Sequence, residues 1–188
     1  SFDSWPYSPA TVKNTTYCFC HFDYPAPHFS DDVFLVARLW KTDGTDKGTS
    51  MIPAPALETL INQFGYVVST IATDKLFYIL VFNNSTNAYE LWRSDGSGAG
   101  TYAVKTDISP YYNPVLTADG KTLFFTNYDY TNGYGLWQTD GTSAGTKFVP
   151  LPANSNPQNF YAFNGKLYFT AYDASYNTVL WVADPNAN

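Results

Sequence analysis

The chain has 188 residues and a net charge of −6, and aromatic residues make up 19% of it against 14% for charged residues. An acidic chain lacks the positive field that attracts phosphate backbones and anionic lipids, so neither nucleic acid nor a membrane surface is an expected partner. No segment approaches the roughly 20 apolar residues that span a bilayer, which argues against membrane insertion. The aromatic content and the length favour a single domain of β-strands.

The chain begins at Ser1 and shows no basic and apolar leader. We therefore expect either that a signal peptide has been removed or that the chain was trimmed. Three asparagines fit the glycosylation sequon, which matters only if the source is a secreting eukaryote. These glycosylation candidates are Asn14, Asn83 and Asn84.

Cys18 and Cys20 lie two residues apart in an aromatic segment that predicts a strand, so their side chains should project from one face. Two thiols are too few for a zinc site, and this spacing is awkward for a disulfide between them. We interpret them as small buried hydrophobic residues. The alternative is an exposed pair that bonds to another chain.

A Leu-Trp pair occurs four times, at intervals of 52, 45 and 44 residues, a period typical of stacked repeats. In the first three copies an Asp-Gly loop follows, and a Gly-Thr pair closes it; in the fourth copy Pro185 replaces the first glycine. A large ring at one repeated strand position should fill the space between neighbouring repeats. The expected core tryptophans are Trp40, Trp92, Trp137 and Trp181.

Each repeat predicts four antiparallel strands, A to D. Strand B is an aromatic run that follows a tight turn such as Asn164-Gly165, and strand C carries the Leu-Trp pair. In the first repeat we expect strand A near residues 9–13, B at 16–22, C at 33–40 and D after Thr49. Only residues 58–64 indicate a helical turn.

Four such units predict an all-β fold, a four-bladed β-propeller of four-stranded antiparallel blades. The expected blades cover residues 9–56, 57–108, 109–152 and 153–188. Because the fourth blade ends without a D strand, residues 1–5 are expected to complete it. Three alternatives remain open: minimal closure, further residues upstream of Ser1, or a strand from another chain, which would make a homo-oligomer.

The Asp-Gly loops have two interpretations. An aspartate in a loop is a potential calcium ligand. Each loop, however, offers one carboxylate followed by small neutral residues, whereas calcium needs several oxygen ligands. Turn chemistry suffices, because Asp accepts backbone N–H groups two residues on and Gly supplies a positive φ. The structural turn residues are Asp43, Gly44, Asp95, Gly96, Asp140 and Gly141.

Through its Leu-Trp pairs and Asp-Gly loops, the chain from about residue 31 to 184 resembles the bacterial repeat family named for its Glu-Leu-Trp-x-x-Asp-Gly-Thr core. Only Glu90 keeps the glutamate; Arg38, Gly135 and Val179 stand in its place elsewhere. The family occurs in secreted and surface proteins, so the resemblance implies an extracellular location. The loop is also similar to the Asp-box of sialidase propellers, where it is structural.

In a propeller the B–C loops and the linkers between repeats share one face. Here they carry tyrosines among small polar residues, a composition suited to adaptable recognition and to stacking on sugars. We therefore predict a lectin-like carbohydrate-binding module, with a functionless solvated face as the alternative. The predicted ligand-binding residues are Asp23, Tyr24, His28, Asn83, Tyr111, Tyr112, Asp129, Tyr130, Tyr134, Asp173 and Tyr176.

Four of these residues, Asp23, Asn83, Asp129 and Asp173, are predicted to close strand B in successive repeats. They could form a ring of oxygens at a central channel, holding a cation or a sugar hydroxyl. We favour the simpler interpretation that each caps its own B–C turn. No cofactor and no metal site are otherwise expected.

Catalysis finds little support in the sequence. Only His21 and His28 are available as general bases near neutral pH, and two arginines are too few for a sialidase-like site. We expect no enzyme, although a glycoside hydrolase with two carboxylates remains an alternative. The other alternative to glycan binding is a structural or adhesive surface protein that acts through protein contacts.

Overall fold

The computed structural model describes residues 5–25, 33–112, 114–152 and 154–184. This part of the chain is all-β and contains four antiparallel sheets, each formed from consecutive strands. It divides into two compact units, Ser1–Ala103 and Val104–Asn188. The first unit contains the first sheet and most of the second, and the second unit contains the other two sheets. None of its helices is long and apolar enough to cross a membrane.

Sheet 1 of the first unit has the strand order β1-β2-β3-β4. Its strands are β1 (Trp5–Val12), β2 (Thr15–Pro25), β3 (Val33–Thr42) and β4 (Ser50–Met51). The β2–β3 pairing runs without a break from Thr16 opposite Thr42 to Pro25 opposite Val33.

Two expectations for sheet 1 are wrong. Asp23 does not close strand B, because β2 continues to Pro25 and Asp23 lies opposite Leu35 in the ladder. The aromatic and branched residues on both strands favour this longer pairing. Trp5, expected to help complete the fourth repeat, lies opposite His21 in sheet 1. Residues 1–4 and His28 fall outside the described residues.

Between the first two sheets the chain forms α1 (Pro55–Thr59) and a π-helical turn at Leu60–Phe64. Pro55 stands at the start of α1, where its missing N–H costs no intrahelical hydrogen bond. The buried Leu57 and Leu60 join the core beneath the helix. This segment includes the helical turn predicted at residues 58–64.

Sheet 2 has the order β5-β6-β7-β8. Its strands are β5 (Gly65–Ala72), β6 (Phe77–Asn83), β7 (Ala88–Ser94) and β8 (Tyr102–Ile108). In the core of the first unit, Leu39 of sheet 1 clusters with Phe77, Ile79 and Trp92 of sheet 2. The rings of Tyr17 and Phe77 stack with centroids 5.2 Å apart.

Sheets 3 and 4 form the second unit, with orders β12-β11-β10-β9 and β13-β14-β15. Leu136 of sheet 3 clusters with Leu167 and Phe169 of sheet 4. The fourth sheet thus has three strands in the described part of the chain. The strands are β9 (Leu116–Ala118), β10 (Leu123–Asp129), β11 (Gly133–Thr139), β12 (Lys147–Phe148), β13 (Gln158–Phe163), β14 (Lys166–Tyr172) and β15 (Thr178–Ala183).

The four repeat tryptophans differ in burial. Trp92 is buried at 8% exposure, whereas Trp40, Trp137 and Trp181 are half-buried. The expectation that all four are core residues therefore holds fully only for Trp92. In sheet 2 the indole N–H of Trp92 donates to Glu90 Oε2 at 2.9 Å.

Candidate functional site

The Asp-Gly loops share one hydrogen-bond pattern. In sheet 2, Asp95 Oδ1 accepts from the backbone N–H of Ser97 at 3.0 Å and from its hydroxyl at 2.7 Å. Ser97 Oγ in turn accepts from the N–H of Gly100 at 3.0 Å. The same contacts surround Asp43 and Asp140. Each carboxylate therefore organises its own turn.

Two positions of the Asp95 loop require glycine, for different reasons. Gly96 adopts φ +90°, which side chains rarely tolerate. At Gly100 a Cβ would overlap the carboxylate of Asp95, so only glycine leaves room for the turn. Across the described ranges, no three His, Cys, Asp or Glu side chains cluster as metal ligands would.

Two of the residues expected to close strand B, Asp129 and Asp173, cap the following turn. Asp129 Oδ1 accepts from the N–H groups of Thr131 at 2.8 Å and Asn132 at 2.6 Å, and Asp173 Oδ1 accepts from those of Ser175 and Asn177. Burial opposes the charged form of Asp129, but hydrogen bonds from Asn132 and Thr131 and the charge of Lys105 together outweigh it and lower its pKa. These carboxylates hold turns in shape.

Asn83 caps its turn as well, but its side chain is inaccessible. Its Oδ1 accepts from the N–H of Ser85 at 2.9 Å, and its Nδ2 donates to Glu90 Oε1 at 2.7 Å. With 9% exposure and both amide atoms bonded, Asn83 is unsuited to bind a ligand or carry a glycan. The other two sequons, at Asn14 and Asn84, are exposed.

Five tyrosines of sheet 3 and the segment before it form one group, named here the tyrosine cluster. The ring of Tyr112 lies 4.8 Å from that of Tyr134 and 6.4 Å from that of Tyr128. Tyr128 also makes edge contacts with Tyr111 and Tyr130, each at 5.8 Å between centroids. The cluster therefore consists of Tyr111, Tyr112, Tyr128, Tyr130 and Tyr134.

The fold brings these rings together in three ways. Tyr128 of β10 and Tyr134 of β11 are cross-strand partners and share one side of the sheet. Tyr130 follows in the turn that Asp129 caps. Asn127 Oδ1 accepts from the N–H of Ser109 at 2.9 Å and so fixes the segment that carries Tyr111 and Tyr112.

The cluster has half-buried members and exposed members. Tyr128 and Tyr134 are half-buried, whereas Tyr111, Tyr112 and Tyr130 are exposed at 68%, 54% and 88%. A hydrogen bond between the side chains of Tyr130 and Tyr111 raises the pKa of Tyr130. The arrangement presents three ring surfaces and neutral hydroxyl groups to solvent.

The remaining predicted ligand residues lie apart from this cluster or are not described. Asp23 and Tyr24 belong to β2, and their side chains are outside the described set. Tyr176 is 70% exposed in the turn after β14. Sequence reasoning missed Tyr128, although its place two residues before Tyr130 was a usable signal.

The described residues show no clear catalytic site. A depression of about 330 Å³ beside α1 has one carboxylate, Glu58, which pairs with Arg38. A smaller one of about 80 Å³ on sheet 4 is lined by amide, hydroxyl and aromatic groups such as Asn159, Thr170 and Tyr172, without a carboxylate. Neither has the two carboxylates that glycoside hydrolysis needs.

Fold and site together define an all-β protein of repeated antiparallel sheets with an exposed group of tyrosines. No protein-family model and no curated protein matches the chain. Among solved structures it is similar to Porphyromonas gingivalis dipeptidyl peptidase 4, at TM-score 0.62 and 11% identity, over 94% of this chain and 29% of that one. At that identity the likeness concerns the fold alone.

Two further matches have lower scores. The β-propeller domain of the Trilobed protease from Pyrococcus furiosus aligns at TM-score 0.38 and 10% identity, over 98% of this chain and 83% of that one. A glycosyl hydrolase from Bacteroides ovatus aligns at TM-score 0.32 and 9% identity, over 100% of this chain and 85% of that one. The chain spans less than a third of the length of dipeptidyl peptidase 4.

Proposed function

We propose that this chain is a carbohydrate-binding module whose ligand lies on the tyrosine cluster. The observation that supports it is that the rings of Tyr111, Tyr112 and Tyr130 are exposed. The same rings are held in place by contacts with Tyr128 and Tyr134. Apolar rings left in water on an ordered turn are available for contact with a ligand.

Sugars present C–H faces bordered by hydroxyl groups, and tyrosine matches both features. Its ring offers a flat apolar surface, and its hydroxyl donates and accepts hydrogen bonds. Because a tyrosine has two side-chain torsions and these rings already contact one another, little conformational freedom is lost on binding. Asp129 contributes by fixing the turn that carries Tyr130.

The scaffold belongs to the same proposal. We take the four sheets as propeller blades and the protein as secreted or displayed at a cell surface, as the motif resemblance implies. The closed four-bladed ring remains a prediction of the sequence. Binding at the tyrosine cluster needs only sheet 3 and the segment before it, and it needs no cofactor.

Glycan-array screening followed by calorimetry tests this function. Tyr130→Ala should weaken saccharide binding by about tenfold or more, because it removes a stacking surface, and Tyr130→Phe should retain most of the affinity. Tyr176→Ala is the matched control, since Tyr176 is similarly exposed in the corresponding turn of sheet 4. The proposal fails if no saccharide binds, or if the Tyr176 variant loses as much affinity.

A second candidate function, adhesion through protein contacts, has one specific observation in its favour. Sheet 4 exposes Tyr161 and Phe163 of β13 and Leu180 and Val182 of β15, an apolar set on its two outer strands. Contiguous exposed apolar surface of this kind marks interaction sites in soluble proteins.

A further inference from the structure

The three exposed rings of the tyrosine cluster are open on their outer sides. Tyr130 is 88% exposed, Tyr111 68% and Tyr112 54%. A pocket for a small ligand encloses about 70–90% of the ligand's surface, and rings as exposed as these do not line such an enclosure. The cluster is therefore an open platform. A sugar unit that lies on it keeps its outer face and both of its chain directions in water.

The rings are close enough for one ligand to contact several of them. The ring centroid of Tyr128 lies 5.8 Å from those of Tyr111 and Tyr130, and 6.4 Å from that of Tyr112. The side chains of Tyr111 and Tyr130 are also joined by a hydrogen bond. The exposed rings thus surround one shared neighbour, and a chain of several sugar units can extend across more than one of them. A single sugar unit is about as large as one tyrosine ring, so it contacts mainly one.

The charged groups near the cluster do not suit an anionic sugar. Asp129, which holds the turn of Tyr130, has a pKa below its ordinary value and adds a negative charge. Lys105 is the cation whose charge acts on Asp129, and its ammonium group pairs with Asp107 at 2.6 Å. Carboxylated ligands are bound most strongly by charged arginine and lysine donors. The cluster itself presents ring faces and hydroxyl groups, which match neutral sugars.

We propose that the ligand of the tyrosine cluster is the interior of a neutral polysaccharide chain, and not a free monosaccharide or a chain end. This inference rests on the proposed carbohydrate-binding function and names its ligand class. An open platform accepts a chain that continues in both directions, whereas recognition of a chain end needs a closed wall. Contacts with several rings add along one chain, because the first bound sugar unit holds the next units near the neighbouring rings.

Calorimetry with oligosaccharides of increasing length tests the chain requirement. Glucose-, mannose- and xylose-based series, from the monosaccharide to the hexasaccharide, are suitable probes because all are neutral. In a series that binds, the hexasaccharide should bind at least about tenfold more tightly than the monosaccharide. Equal affinities would overturn the inference and leave carbohydrate binding intact. If no series binds, the inference also fails, and the proposed function fails with it only if the glycan array is negative as well.

The hexasaccharide that binds, with its reducing end converted to an alditol by borohydride, distinguishes interior recognition from end recognition. Its affinity should stay within about twofold of the unmodified hexasaccharide, since the interior units are unchanged. A loss of about tenfold or more would show that the chain end is bound, and it would overturn the inference.

A charged hexasaccharide tests the preference for neutral sugars. Hexagalacturonate should bind at least about tenfold more weakly than the neutral hexasaccharide. Asp129→Asn should reduce this difference, because it removes the negative charge and keeps the Oδ1 that accepts the N–H groups of the turn. The inference is wrong if hexagalacturonate binds to the wild type as tightly as the neutral chain.

A double variant connects the length dependence with the cluster. Tyr111→Ala combined with Tyr130→Ala removes two of the three exposed rings, so the advantage of the hexasaccharide over the monosaccharide should fall by at least about fivefold. Tyr176→Ala is the matched control and should leave the length dependence unchanged, since Tyr176 is 70% exposed in a turn of sheet 4. Near-ultraviolet circular dichroism checks that each variant is folded. An unchanged length dependence in the folded double variant would mean that the chain binds elsewhere, which overturns the inference.

Discussion

Sheets 2 and 4 carry the same Leu-Trp pair at the same strand position, in different surroundings. Leu91 is fully buried, whereas Leu180 is 70% exposed. The indole N–H of Trp92 donates to Glu90, whereas that of Trp181 is buried without a hydrogen-bond partner and Val179 replaces the glutamate. The comparison shows that the motif determines strand pairing, while neighbouring sheets and neighbouring residues determine what the motif contributes to stability.

Truncating the two leucines should give the largest contrast. Leu91→Ala removes a fully packed side chain and should lower the free energy of unfolding by about 2–5 kcal/mol. Leu180→Ala should change it by less than about 0.5 kcal/mol when the chain is monomeric, since little buried area is lost. Urea unfolding at low protein concentration measures both. Equal losses would mean that Leu180 is covered within the chain.

Removing the glutamate of sheet 2 should have a smaller effect. Glu90→Ala leaves the buried N–H of Trp92 and the amide of Asn83 without an acceptor, and should cost about 1–3 kcal/mol of stability. Urea unfolding followed by tryptophan fluorescence measures the loss.

The converse substitution in sheet 4 serves as the matched control for Glu90→Ala. Val179→Gln supplies an acceptor beside Trp181 and should stabilise by about 0.5–1 kcal/mol. If Glu90→Ala were neutral and Val179→Gln destabilising, the hydrogen bond at Trp92 would not explain the difference between the two sheets.

The Asp95 loop should give the smallest effect, a dependence of stability on pH. Hydrogen bonds from Ser97 lower the pKa of Asp95 below its ordinary value of 3.8. Because the folded pKa is below the unfolded one, the unfolded state takes up the proton first as pH falls. The contribution is therefore complete above pH 3.8 and is lost as pH falls through the folded pKa.

Unfolding curves recorded at successive pH values below neutrality measure this dependence. Asp95→Asn should reduce the loss of stability as pH falls. Ser97→Ala should reduce that loss partly, because it removes the hydroxyl donor. If both variants lose stability at low pH as the wild type does, this loop contributes nothing to the pH dependence of stability. The corresponding residue of sheet 4, Asp184, forms an ion pair with Lys166 at 3.2 Å.

Much of the secondary structure followed from local rules. Asn164 and Gly165 adopt φ values of 51° and 73°, as a tight hairpin turn requires, and the Asp-Gly loops have the geometry that their residue types indicate. The end of β2 could not be predicted from local rules, because Asp23 and Pro25 are residues typical of a turn. Their pairing with Leu35 and Val33 is a property of the partner strand.

The candidate site was predictable in part. Tyr111, Tyr112, Tyr130 and Tyr134 were expected to share a face because they lie in loops and linkers of one repeat. Tyr128 was missed because it belongs to a strand. The favoured interpretation of Asn83 as a turn cap is confirmed, but its burial beside Glu90, seven residues away, was not predicted. Contacts across strands are set by register, which composition does not reveal.

The sequence by itself determined the repeat, the strand order within each sheet and the turns, because these depend on residues close together in the chain. Only the tertiary structure decided which copies of the motif are buried, that five tyrosines gather on sheet 3, and that Leu180 faces solvent. Burial depends on which sheet lies against which, and the tyrosine cluster depends on the register between strands. Identical Leu-Trp pairs therefore have different roles, since burial is a property of the neighbours and not of the residue.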